Sequence, residues 1–166
     1  MSQLHYKLGN SKQALTFFSQ ISEKRGTINS FVHVQLGKVY SDLGDLDKAL
    51  EAFNKFLTLP NNYGQEGKAD GLFGIAVVER KRGNLDIALT RIEEAIALIE
   101  EVRAKKDSPE ERQTFFAAKQ EYYEFYIDLL MEFHQQDPTK GYDAQALNIN
   151  ERSRARSLLE LLAGRC

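Results

Sequence analysis

The sequence predicts an all-α chain in which antiparallel helical hairpins stack into a right-handed solenoid. Apolar residues recur at helical spacing almost throughout, and β-branched alternation is nearly absent. A turn glycine, a capping side chain, an alanine and a large apolar residue also return three times in one register. Gly9-Asn10 precedes Ala14 and Phe18, Gly44-Asp45 precedes Ala49 and Phe53, and Gly83-Asn84 precedes Ala88 and Ile92. Finally, the turn glycines lie 35 residues apart (Gly9 to Gly44) and 39 apart (Gly44 to Gly83), near the period of about 34 residues that repeating helical hairpins use. A single hairpin cannot bury its own apolar face, so the pattern requires stacked neighbours.

Taken in order, the first repeat spans 1–26 and is truncated. Counting back from Gly9, Met1 already falls in the middle of its first helix, so the chain reads as a piece cut from a longer protein. The central repeat, 30–60, is the fullest. Gly37 and Ala49 let two helices approach closely, while Tyr40, Phe53 and Phe56 fill the space beside them. Gly44 supplies the left-handed turn and Asp45 the cap of the next helix. The extra residues of the second interval are assigned to a polar loop over 61–65.

The third repeat, 69–106, ends in a long helix from 84 to 106, whose apolar face includes Leu85, Ala88, Leu89, Ile92, Ala95, Ile96 and Ile99. Asp107-Ser108-Pro109 is a strong break, with Ser108 as cap and Pro109 at the first helical position. One long aromatic helix is predicted over 109–134, then a loop over 135–141 and a last helix over 143–163; together 109–163 make an atypical long-helix hairpin. Aromatics on several sides of the 109–134 helix call for neighbours on both flanks. Gly83 and Gly141 are 58 residues apart, and the excess over one period of about 34 is assigned to the lengthened helices and loop. In the last helix Ala146 takes the alanine slot, but Asn150 stands where an aromatic residue is expected.

At 166 residues, with 42% hydrophobic and 28% charged residues, the chain is long and apolar enough for one folded domain. A net charge of −2 implies no bulk attraction to nucleic acid or an acidic membrane. Apolar runs stay short of a membrane span, and the first residues carry no signal segment. The single cysteine, Cys166, excludes an internal disulfide and fits a reducing, cytoplasmic setting.

Signatures of nucleotide binding, nucleophilic catalysis and zinc proteolysis are absent. His5, His33 and His134 fall on three different helices without ligand spacing, and His33 occupies a packing slot. Asp42, Asp45 and Asp47 read as caps and hairpin polarity rather than a calcium loop. Arg152 and Arg156 share a helix face that Arg154 opposes, and Glu151 and Glu160 are available to pair with them. The sequence therefore predicts no catalytic residue, metal or cofactor, and no nucleic-acid or membrane partner.

Leu36-Gly37-x-x-Tyr40, Ala49-x-x-x-Phe53 and Pro60 follow the order of the tetratricopeptide repeat signature, and residues 1–106 resemble that family. His33 stands in the usual tryptophan slot, and Ala76 and Glu79 replace the Gly and Tyr of the third repeat. The resemblance implies a scaffold that binds a protein or peptide in a concave groove lined by the first helix of each hairpin. Register places Phe31, Val34, Gln35, Lys38 and Asp42 there, followed by Asp70, Phe73, Val77, Arg80 and Lys81. Val34 and Phe73 replace the lysines of a carboxylate clamp, so a mixed apolar and polar segment is the expected ligand.

Gly141-Tyr142-Asp143, Ala146-Leu147 and the run Glu151 to Leu159 (ERSRARSLL) resemble the last repeat-like segment of bacterial proteins that carry a C-terminal CHAT domain, a caspase-like peptidase fold. That resemblance implies a regulatory or interaction arm of a larger protein, contacting its own C-terminal domain. Two alternatives are an internal regulatory part with no external ligand and a stand-alone bacterial peptide-sensing receptor. Leu147, Ala155, Leu158, Leu159 and Leu162 form an apolar stripe on the last helix, from which self-association through that end is expected.

Overall fold

A computed structural model describes residues 11–18, 30–59 and 64–163, with side chains over 11–18, 32–59 and 64–153. Helix α1 covers 11–18. It is followed by α2 (Ser30–Leu43), α3 (Leu46–Thr58), α4 (Gly64–Lys81), α5 (Leu85–Ala104), α6 (Pro109–Ala118), α7 (Gln120–Gln136) and α8 (Tyr142–Ala163), with a short 3-10 turn at Pro138–Lys140. The described residues contain no strand. Helices α2/α3, α4/α5 and α7/α8 pack as hairpins, and α4 joins the first pair to the second. The chain is an all-α solenoid.

The two central turns are superposable in their bonding. Asp45 N–H donates to Tyr40 O and Asn84 N–H to Glu79 O, each at 2.9 Å, closing a Schellman turn around Gly44 (φ 81°) and Gly83 (φ 83°). Gly141 (φ 72°) is also left-handed, but it ends the 3-10 turn and directly precedes α8, with its carbonyl accepting from Gln145 N–H at 3.2 Å. Gly9 lies outside the described residues. Asp45 caps α3, accepting from Lys48 N–H at 3.4 Å, whereas Asn84 does not cap α5. Its amide instead donates to Glu79 Oε2 at 2.6 Å, giving that buried carboxylate a partner at the position the family signature gives to tyrosine.

Three expectations need correction. Helix α4 begins at Gly64, so Gly64 and Gln65 belong to a helix rather than to the loop. Gln65 is held there by Glu101 Oε2 (2.7 Å) and Lys105 Nζ (3.1 Å) at the far end of α5. The predicted helix over 109–134 is two helices, broken at Lys119 (φ −114°, ψ 11°). The excess between Gly83 and Gly141 is therefore largely an inserted helix, α6, which packs against α8. Ser108 and Pro109 start α6 as expected, with Ser108 Oγ accepting from Glu111 N–H at 3.1 Å.

The core is continuous along the stack. Val34, Phe53, Phe56, Ile75 and Val78 join α2, α3 and α4. Leu72, Ile92, Ile99, Phe116, Tyr122, Leu129 and Phe133 join α4 to α7. The aromatic helix is thus covered on several sides, as its sequence requires.

His33 is 5% exposed and its Nε2 has no hydrogen-bond partner among the described residues. Burial, and secondarily the charge of Lys55, holds its pKa below the usual 6.5. The unfolded chain takes up this proton near pH 6.5 while the folded chain resists it. The contribution of His33 to stability is therefore present above pH 6.5 and lost as pH falls toward the folded value. We expect the urea midpoint to drop between pH 7 and pH 5, and His33→Phe to raise the midpoint at pH 5 and flatten that slope. An equal slope in the variant would place the titration elsewhere.

Candidate ligand groove

Helices α2, α4 and α7 stand side by side as the first helices of three hairpins, and a cavity of about 350 Å³ opens between them. Its walls carry Lys38, Ser41 and Asp42 from α2, Asp70, Phe73, Gly74, Val77 and Lys81 from α4, and Glu121 and Tyr122 from α7, with the Phe53 ring of α3 at the base. Six of the ten residues assigned to the groove by register line this cavity. Phe31 is helical, but its side chain lies outside the described set. Gln35 is half-buried and not part of the lining.

Two of the assigned residues make other contacts. Val34 is 7% exposed and packs in the core with Phe53 and Phe56, so it offers no groove surface. Arg80 is committed to α7: its guanidinium donates to Glu132 Oε1 at 2.8 Å and its Nε to both carboxylate oxygens at 3.2 Å, and it lies 5.2 Å from the Phe125 ring. Sequence register located Arg80 on the right helix but could not show that a residue 52 positions later would take its charge.

The remaining polar groups divide into satisfied and available ones. Lys81 Nζ donates to Ser41 O (2.9 Å) and Ser41 Oγ (2.8 Å), tying α4 to the end of α2. Asp70 Oδ1 accepts from Lys119 Nζ at 2.8 Å and from the Tyr122 hydroxyl. That hydroxyl, buried and facing a carboxylate, is pushed far above its ordinary pKa of 10. Phe73 stacks on Tyr122 with centroids 4.2 Å apart and meets Phe125 edge-on at 5.5 Å. By contrast Lys38, Asp42 and Glu121 have no hydrogen-bond or ion-pair partner among the described residues. The cavity therefore presents an apolar floor of Phe53, Phe73 and Val77 below a rim carrying both signs of charge. Glu121 and Tyr122 were not among the residues assigned by register, which reached only the first two of the three helices that line the cavity.

Residues 32–63 match the family model described as "Tetratricopeptide repeat". The match takes in most of α2 and all of α3. A search of curated proteins found no match. Among solved structures, one titled "Crystal structure of MamA" is similar at 16% identity, covering 92% of this chain and 92% of that one with a TM-score of 0.48. Among the described residues no helix is long and apolar enough to cross a membrane, and no group of three or more His, Cys, Asp or Glu could hold a metal ion.

Proposed function

We propose that this chain is a protein-interaction scaffold that seats a segment of a partner protein in the groove between α2, α4 and α7. The observation that carries the reading is the cavity itself: an apolar floor reached between three parallel-stacked helices, rimmed by Lys38, Asp42 and Glu121, whose charges nothing else in the described fold uses. A segment with one large apolar side chain flanked by polar residues fits that arrangement, since apolar burial supplies affinity and the rim charges supply register. Peptides selected from a displayed library on the wild-type protein should lose binding at least tenfold to Val77→Asp and to Lys38→Glu/Glu121→Lys, with the helical signal unchanged. Equal binding by these variants would place the ligand elsewhere.

The C-terminal segment supports a second, compatible proposal, that this solenoid is an arm of a CHAT-domain protein. Its Gly141-Tyr142-Asp143 element forms the left-handed turn and start of α8, which would make α8 the join to such a domain. Reading the gene beyond codon 166 tests this directly.

A further inference from the structure

The charges on the two walls of the groove are of opposite sign. Helix α7 contains Glu121, Glu124, Asp128 and Glu132, and neither lysine nor arginine. At about 3.6 residues per turn, Glu121, Asp128 and Glu132 fall along one line of the helix surface, with Glu124 beside them. Both ends of that line face the groove: Glu121 lines the cavity, and Glu132 meets Arg80 of α4 at 2.8 Å. Helix α7 runs parallel to α4, since Asp70 meets Tyr122, Phe73 meets Phe125 and Arg80 meets Glu132 in turn. The acidic line therefore follows the groove for about 16 Å. Of its four carboxylates only Glu132 has a cation. Glu124 accepts from the Gln120 amide at 2.8 Å, and Glu121 and Asp128 are exposed, with no hydrogen-bond or ion-pair partner among the described residues.

The α2 wall carries the opposite excess. Lys81, at the end of α4, is fixed on Ser41 of α2 by two hydrogen bonds of 2.9 and 2.8 Å to neutral oxygens. Its charge stays uncompensated and its direction is set in advance. Lys38 lies one turn before Ser41 on the same face of α2 and is exposed without a partner among the described residues. Asp42 offsets one of these two charges. Phe73, Gly74 and Val77 of α4 form the apolar strip between the walls.

We propose that the groove takes a segment of a partner protein with opposite charges on its two sides, seated one way round: basic side chains toward α7, a carboxylate toward Lys38 and Lys81, and one large apolar residue between them. The inference names the occupant of the groove proposed above and rests on that reading. Apolar burial alone is indifferent to orientation, whereas like charges brought together across an interface penalise the wrong one. A uniformly acidic segment is repelled by the α7 wall. A uniformly basic one sets its charge against Lys38 and Lys81.

The test uses the peptides selected on the wild-type protein, keeping those whose binding is lost in Val77→Asp. Their sequences should carry lysine or arginine on one side of the apolar residue and aspartate or glutamate on the other. Affinity should fall with rising salt, and by about tenfold in Glu121→Lys/Asp128→Lys. A synthetic peptide with its acidic and basic residues exchanged should bind the wild type weakly and regain binding to Lys38→Glu/Glu121→Lys/Asp128→Lys. All three positions are exposed, so circular dichroism should show an unchanged helical signal. If the exchanged peptide binds the wild type as well as the original does, or if affinity is indifferent to salt and to the charge reversals, the orientation is overturned and the groove reading stands. A selection that yields no peptide dependent on Val77 overturns the groove reading, and this inference with it.

Discussion

Gly74→Val is expected to destabilise the fold by about 3 kcal/mol, at the upper end of what overpacking costs in a filled core. A Cβ at this position would lie 2.3, 2.4 and 2.8 Å from Cε1, Cζ and Cδ1 of Phe53. The ring is 1% exposed and cannot shift toward α2, because a Cβ on Gly37 would already sit 2.7 Å from two of the same atoms. Phe53 of α3 is clasped between a glycine of its own hairpin and a glycine of the next. The opposing effect is small: valine regains only a few tenths of a kcal/mol of helix propensity over glycine. Urea denaturation gives the difference directly. The second half of the test is a cycle with Phe53→Leu, whose smaller side chain should relieve part of the clash and leave a coupling above about 0.5 kcal/mol. Additive losses would mean that the two positions do not share this contact.

The same residues show what could be read from the sequence. Gly37, Ala49 and Phe53 declared a close helix crossing through their types and spacing alone, and Gly44 and Gly83 declared their turns because only glycine adopts that backbone without strain. Gly74 was not singled out, since register directed attention to Ala76 as the counterpart of Gly37. Its importance comes from Phe53, which belongs to another hairpin. The groove shows the same division. Register placed Lys38, Asp42, Asp70, Phe73, Val77 and Lys81 on the helices and faces where the cavity lies. It could not reveal that Val34 is absorbed by the core or that Glu132 claims Arg80. Periodicity reports which face of a helix is apolar; it does not report which polar residue on a neighbouring helix arrives opposite. The break at Lys119 was the least legible feature of all, since local propensity argues for the opposite backbone.

Asp70→Leu should cost about 3 kcal/mol, although Asp70 lies in the groove and would be taken for a ligand contact. Its carboxylate accepts from the Tyr122 hydroxyl, on a residue 1% exposed, and from Lys119 Nζ, whose side chain is 11% exposed. Removing it leaves a nearly buried ammonium with Glu66 alone and a buried hydroxyl with no acceptor. Stripping one partner from a buried ion pair typically costs about 3–5 kcal/mol, and the low end applies because the Asp70 side chain is 35% exposed and Glu66 remains. The loss should not depend on the carboxylate as such. Replacing the whole set, Asp70→Leu/Lys119→Met/Tyr122→Phe, removes the stranded groups along with it and should recover most of the stability, because apolar side chains of similar size substitute well for buried polar sets. Urea denaturation of the single and triple variants decides between the two roles of Asp70. A single variant as stable as the wild type would return it to the groove as a surface contact, whereas a loss recovered in the triple variant identifies it as the acceptor that binds α7 to α4.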